Sequence, residues 1–334
     1  MAGTRTSSGQ VSASRRRALA VAGAIAPVLA GVAPAAAGGP PVGDDRSAGR
    51  RRRPLSPVRT TEADWKPAAK AIGRTGRLNG GTVYQFEFPR ADLRVVSHGV
   101  TLDPDFAISG DVGFARYRDG RTMVMGDLVV TEGELEKVTD ALQARGLEQT
   151  AIHKHLLAHT PQLWWAHFDG VDKSAVRLAR AVRAALDVTA TPGPPAPRRP
   201  PPLDLDTAAI DAALDAKGTN ESGIYRFTFG RMGTVTVGGR VVLPAMGVST
   251  ELDFQPAGGG RAAVNGDFVM TASEVNRVIR ALRRGKIDVV SLHNHALRDE
   301  PRLFYMHYWS VGDAVRLARA LHRAVEATDV APVA

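Results

Sequence analysis

Met125-Gly-Asp-Leu-Val-Val-Thr131-Glu-Gly-Glu134 and Asn265-Gly-Asp-Phe-Val-Met-Thr271-Ala-Ser-Glu274 are two copies of one signal, 140 residues apart. In each, an apolar, β-branched run ends at a threonine that is followed three residues later by a glutamate. The run reads as a strand. The Thr-x-x-Glu reads as a capping box, in which the two side chains satisfy free amides of a helix's first turn. The helices that start there carry Leu135, Val138 and Leu142, and Val275, Val278, Ile279 and Leu282, at helical spacing. Gly146 and Gly285 stand near their ends.

Two further blocks repeat on either side. Val83-Tyr-Gln-Phe-Glu-Phe-Pro-Arg90 matches Ile224-Tyr-Arg-Phe-Thr-Phe-Gly-Arg231, and Val176-Arg-Leu-Ala-Arg-Ala181 matches Val315-Arg-Leu-Ala-Arg-Ala320. Three blocks in one order at an offset of 139–141 indicate a duplicated domain rather than a solenoid. Each half reads as a short opening helix (about 62–73 and 206–216), several strands, the capped helix, a strand–loop–strand and a last helix. That order predicts an α+β fold: two homologous domains, each a mostly antiparallel sheet with helices packed on it. The predicted domains are 61–190 and 204–330. Between them, residues 191–203 hold seven prolines and read as a semi-rigid spacer. Gly73-Arg-Thr-Gly-Arg-Leu-Asn-Gly-Gly81 follows a helix and precedes a strand, the reverse of a nucleotide loop, and reads as a turn.

The N-terminus reads as an export signal, residues 1–37. Ser14-Arg-Arg-Arg-Ala-Leu19 is twin-arginine-like, an apolar run follows, and Ala35-Ala-Ala37 supplies small residues before a cleavage point. General secretion stays open beside the twin-arginine route. Residues 38–60 read as a disordered basic linker. No later stretch is long and apolar enough for a transmembrane helix, so the mature chain is expected to have none. The location implied is secreted or cell-envelope associated.

The net charge of +9 dissolves when it is divided along the chain. Four arginines and no acid lie in 1–37, and six arginines face Asp44 and Asp45 in 38–60, so residues 61–334 carry only +1. Nucleic acid is therefore not an expected partner. The absence of cysteine excludes disulfides, thiolate metal sites, a cysteine nucleophile and a lipid anchor on cysteine.

Seven of the nine histidines fall in two matching segments, 150–167 and 291–307. Residues two apart in a strand share a face, which aligns His153 with His155 and His293 with His295. A reversal at Pro161 or Pro301 sets His155 opposite His167 and His295 opposite His307. Each half then offers three converging imidazoles, with His159 or Asp299 on the loop as a fourth ligand. Such shells suit a divalent metal: zinc first, then manganese, iron or copper. Asp127 and Asp267 are candidates to orient a histidine from behind. Glu300 is a candidate general base on a metal-bound water, its competing reading being an exposed loop acid. Trp164, Trp165, Tyr305, Tyr308 and Trp309 flank the segments, as sugar-stacking rings or as core.

With Gly-Asp-(Leu/Phe)-Val-x-Thr-x-x-Glu, Leu-His-Asn-His-x-Leu-x-Asp-x-Pro, Tyr-Met-His and a later Arg-Leu-Ala, the chain resembles the LppY/LpqO family of exported bacterial proteins, in two tandem copies. The family is a domain of unknown function, and some members are labelled peptidoglycan-binding lipoproteins. The resemblance implies export and a shared site; peptidoglycan or another wall glycan enters as a possible partner. The chain departs from the pattern in lacking a lipobox cysteine, and at Lys154, His159 and Gly230. Two functions remain in view: a metal- or glycan-binding module, and a metal-dependent hydrolase with its active site in the second domain.

Overall fold

The second half repeats the elements of the first and adds a final strand. The first contains α1 (Glu62–Ile72), β1 (Arg77–Asn79), β2 (Val83–Pro89), β3 (Val96–Ser97), β4 (Val100–Thr101), β5 (Ser109–Arg116), β6 (Thr122–Thr131) and α2 (Glu132–Ala144). It closes with β7 (Glu148–His153), β8 (His159–Thr160), β9 (Leu163–Asp172) and α3 (Ala175–Leu186). The second contains α4 (Thr207–Leu214), β10 (Thr219–Glu221), β11 (Ile224–Arg231), β12 (Val235–Val237), β13 (Arg240–Val242), β14 (Ser249–Pro256), β15 (Arg261–Met270) and α5 (Ala272–Arg284). It closes with β16 (Asp288–His293), β17 (Asp299–Glu300), β18 (Phe304–Asp313), α6 (Ala314–Val325) and β19 (Val330–Pro332). The computed structural model describes residues 53–194 and 199–333. Residues 1–37, read above as an export signal, residues 38–52 and the middle of the proline-rich spacer lie outside the described residues.

The main sheets share one strand order, β1-β2-β5-β6-β9-β7 and β10-β11-β14-β15-β18-β16, with β19 added beside β11. All their pairings are antiparallel. The fold is α+β. Both capping boxes form: Thr131 with Glu134 and Thr271 with Glu274 start α2 and α5.

Side-chain alternation along β6 explains how the layers stack. Val124, Leu128 and Val130 join a core with α1, α2 and α3, while Met123, Met125 and Val129 face the other way. That second face is covered by the other half: Met123 and Met125 share a cluster with Val237, Met246 and Tyr305, and Val129 shares one with Ile224 and Trp309. A strand buried on both faces reads as a near-continuous apolar run. Asp127 and Asp267 have the parity of the inter-half face, so the duplication places one carboxylate from each half in the seam.

Gly126 and Gly266 are dictated by close approach. A Cβ at Gly126 would lie 2.0 Å from the Asp111 carbonyl oxygen, and one at Gly266 would lie 1.9 Å from that of Glu251. The Gly-Asp pair is thus a contact device that puts the aspartate where a neighbouring strand is tightly apposed.

Two local readings change. The segment Gly73–Gly81, expected as a turn, contains the edge strand β1. Residues 53–60, read from composition as the end of a disordered linker, hold both halves by backbone hydrogen bonds: Leu55 to Gly239 and Val241 (2.9 Å each), and Val58 to Arg116 (2.8 Å).

Candidate metal centre

The strands place the side chains in order. β6 sets Asp127 directly opposite His167 on β9, and β15 sets Asp267 opposite His307 on β18. Opposed residues share a face. On the other flank Ala151 opposes His167 and Ser291 opposes His307. The expected pairing of His155 with His167, and of His295 with His307, is therefore not the register formed. Proline does not mark a simple hairpin midpoint: β8 and β17, inside the loops, pair away with β3 and β12. His153 and His293 end their strands, and His155 and His295 enter from the loops.

Six imidazoles meet in the seam between the halves. His153 stacks on His293 with ring centroids 3.5 Å apart, His155 on His307 at 3.6 Å, and His167 on His295 at 4.1 Å. Each pair joins one half to the other. The expectation of one separate shell per half gives way to a common cluster on an internal two-fold axis that passes between His153 and His293. Ligand atoms of His153, His293, His295 and His307 all lie within 4.8 Å of one another, as do those of His153, His155 and His167. These buried groups are able to hold a metal ion.

Hydrogen bonds fix the ring faces. His307 Nδ1 donates to the Gly266 carbonyl at 2.7 Å, and His295 Nδ1 to that of Gly247 at 2.9 Å. Ser291 Oγ gives its proton to the Lys154 carbonyl at 2.9 Å, so it accepts from His293 Nδ1 at 3.3 Å. In the neutral form of each ring the Nε2 atom then carries the lone pair. His293 and His295 Nε2 are 3.1 Å apart, and His153 and His307 Nε2 are 3.3 Å apart. Asp267 Oδ2 faces the same side, 3.3 Å from His295 Nε2 and 3.9 Å from His307 Nε2. The orienting role proposed for Asp267 from sequence belongs here to the backbone carbonyls, and Asp267 sits among the would-be ligands.

Burial, followed by the neighbouring imidazoles, pushes His153, His155, His167 and His293 far below the usual histidine range. Burial lowers His307 as well. Burial thus favours the neutral ring, the form that binds metal. Asp127 is pushed up to about 7, chiefly by burial.

The loop residues have another use. Asp299 Oδ2 accepts from the Leu303 amide at 2.7 Å, and its Oδ1 pairs with Arg302 at 2.8 Å. His159 Nε2 accepts from the equivalent Leu163 amide at 3.0 Å. Aspartate and histidine interchange between the copies because either supplies the acceptor that braces the loop. Neither belongs to the ligand groups above. Glu300 is exposed on β17, beside Thr236, and does not line the cavity at the cluster.

That cavity, about 160 Å³, is lined by His155, His167, His295 and His307, and by eight carboxylates that include Asp111, Asp127, Glu251 and Asp267. Arg226 is its one lysine or arginine, and it is already paired with Asp253 at 2.9 Å and Glu221 at 3.2 Å. Burial, then Glu87 and Asp127, push Asp111 well above the usual carboxylate range. Sequence reasoning missed Asp111 and Glu251. Their 140-residue spacing, the same as for Asp127 and Asp267, was the available signal.

No curated protein matches the chain. Three solved structures, two of them microcompartment shell proteins, are similar to it at low identity. A double-ringed trimeric shell protein of the RMM microcompartment is 14% identical over 62% of this chain and 82% of its own, with a TM-score of 0.18. The trimeric shell protein PduB is 10% identical over 73% and 86%, with a TM-score of 0.18. EtuB from Clostridium kluyveri is 13% identical over 77% and 93%, with a TM-score of 0.20. The sequence profile of one family matches residues 66–188 and again 208–327. The chain belongs to that family, described as Domain of Unknown Function (DUF1259), and carries two tandem copies of its domain.

Proposed function

We propose that this protein binds a divalent metal at a centre that neither tandem copy completes alone. One observation carries the reading. The Nδ1 atoms of His293, His295 and His307 are committed outward, so their Nε2 lone pairs converge with His153 and the Asp267 carboxylate. The His293 and His295 lone pairs, 3.1 Å apart, repel unless a positive charge lies between them. Burial disfavours a protonated ring, and a metal ion supplies that charge without one. Imidazoles with a carboxylate suit zinc first, and also manganese, iron or copper. Elemental analysis of protein purified without chelator is expected to find metal in the wild type and less than a tenth as much in His307→Ala. A metal-free wild type that also shows no thermal shift with zinc, manganese or copper would sink the reading.

Export is part of the proposal. The charged and apolar pattern of 1–37 and the LppY/LpqO resemblance support it. Mass spectrometry of the exported protein is expected to find a mature chain beginning at Gly38; retention of residues 1–37 on the extracellular protein would contradict this. The wall-glycan reading rests on the family resemblance alone: of the flanking aromatics, Trp165, Tyr305, Tyr308 and Trp309 are buried and Trp164 is half-buried. Glu300, placed away from the cavity, supplies no base for the hydrolase alternative.

A further inference from the structure

We infer that the centre holds two metal ions, related by the internal two-fold axis, with Asp127 and Asp267 each serving one of them. This rests on the metal reading above. The duplication exchanges residues 140 apart: His153 with His293, His155 with His295, His167 with His307 and Asp127 with Asp267. Applied to the first ligand group, His153, His293, His295 and His307, it generates His293, His153, His155 and His167. The second group found in the structure, His153, His155 and His167, is that image without His293. The two groups are thus copies of one site that share the axial pair His153 and His293. Six imidazoles also exceed what one four-coordinate ion takes up, whereas two ions about 3.5–4 Å apart form an ordinary two-metal site.

Unpartnered atoms also line the cavity beside the two groups. Asp127 Oδ2 and Asp267 Oδ1 are buried and accept no hydrogen bond, and both residues line the cavity at 8% exposure. His167 Nε2, on a ring of the second group, is likewise buried without a partner and lines the same cavity. Asp127 and His167 oppose each other on β6 and β9, so a bare carboxylate oxygen and a bare imidazole nitrogen project from one face toward the cavity. The remaining carboxylates of the cavity, Asp111 and Glu251 among them, outnumber its single arginine and favour entry of positive charge.

The test is a stoichiometry. Full-length mature protein is stripped with chelator, loaded with zinc, passed through gel filtration and assayed for zinc per chain. Two ions are expected in the wild type and one in Asp127→Asn and in His167→Gln, each folded as judged by circular dichroism. One ion in the wild type overturns the two-ion centre and leaves the metal reading intact; none removes both. Two ions kept by both folded variants, or both ions lost from either, also overturns it. Loading the wild type with manganese needs no variant. An exchange-coupled electron paramagnetic resonance signal is expected at two equivalents, and an isolated six-line spectrum at saturation overturns the proposal.

Discussion

Glu274→Ala is expected to destabilise the protein by about 3–5 kcal/mol, the loss typical of a buried ion pair stripped of one partner. Glu274 serves three groups at once. It pairs with Arg231 at 2.7 Å, accepts from the Thr271 amide at 2.6 Å to close the cap of α5, and accepts from the Asp329 amide at 2.9 Å. Truncation leaves a buried guanidinium without its counter-ion and two amides without acceptors. Burial opposes ionisation of Glu274, yet the Arg231 and Thr271 hydrogen bonds outweigh it and hold the carboxyl below its ordinary value of 4.5. A carboxylate held below its unfolded value stabilises fully above that value. Its contribution disappears as pH falls through the folded value. The gap between wild type and variant should therefore be complete at neutral pH and narrow as pH falls below the ordinary carboxyl value of 4.5. Urea unfolding across pH checks both points, and a gap under about 1 kcal/mol at pH 7 would show that the network is not what fastens α5.

Removing metal is expected to lower stability by a comparable amount. Ligand binding to the folded state alone adds about 4 kcal/mol when free metal stands 1,000-fold above its dissociation constant. For a protein of this size that corresponds to a fall of roughly 10 °C in Tm on chelation. The effect should be absent in His307→Ala, whose unfolding is expected to be indifferent to chelator. Because the cluster bridges the halves, chelation is expected to move one cooperative transition rather than to split it. A chelator-insensitive wild type that still contains metal by elemental analysis would mean that the ion sits elsewhere.

The duplicated α+β plan was legible because it rests on local chemistry. Thr131 with Glu134, and Thr271 with Glu274, announce a strand running into a capped helix without reference to the rest of the chain. The histidines were legible as residues but not as an arrangement. Nothing between His153 and His293 in sequence indicates that their rings stack, since that contact depends on two sheets meeting face to face. The strand pairing was misread because β17 leaves its hairpin to pair with β12, which puts Ser291, not His295, across from His307. Asp299 looked like a ligand by type and spacing, but its oxygen was needed by the Leu303 amide. Residues 53–60 carry no apolar periodicity and were assigned by composition, although their backbone hydrogen bonds and the packed Leu55 side chain bind both halves.

Placing the cluster on the axis between the repeats changes what the spacer at 191–203 is for. A lone copy would carry three of the six imidazoles and one of the two aspartates, and would meet the rest only by colliding with a second copy. Occupancy would then vary with protein concentration, and would fail on dilution into the surroundings of a cell. Joining the copies in one chain replaces that encounter with an intramolecular one, at an effective concentration of the order of millimolar for a short tether. A fused pair keeps its centre at any dilution, and each copy becomes free to diverge at positions such as Lys154 and Asn294 that a symmetric dimer would have to change together.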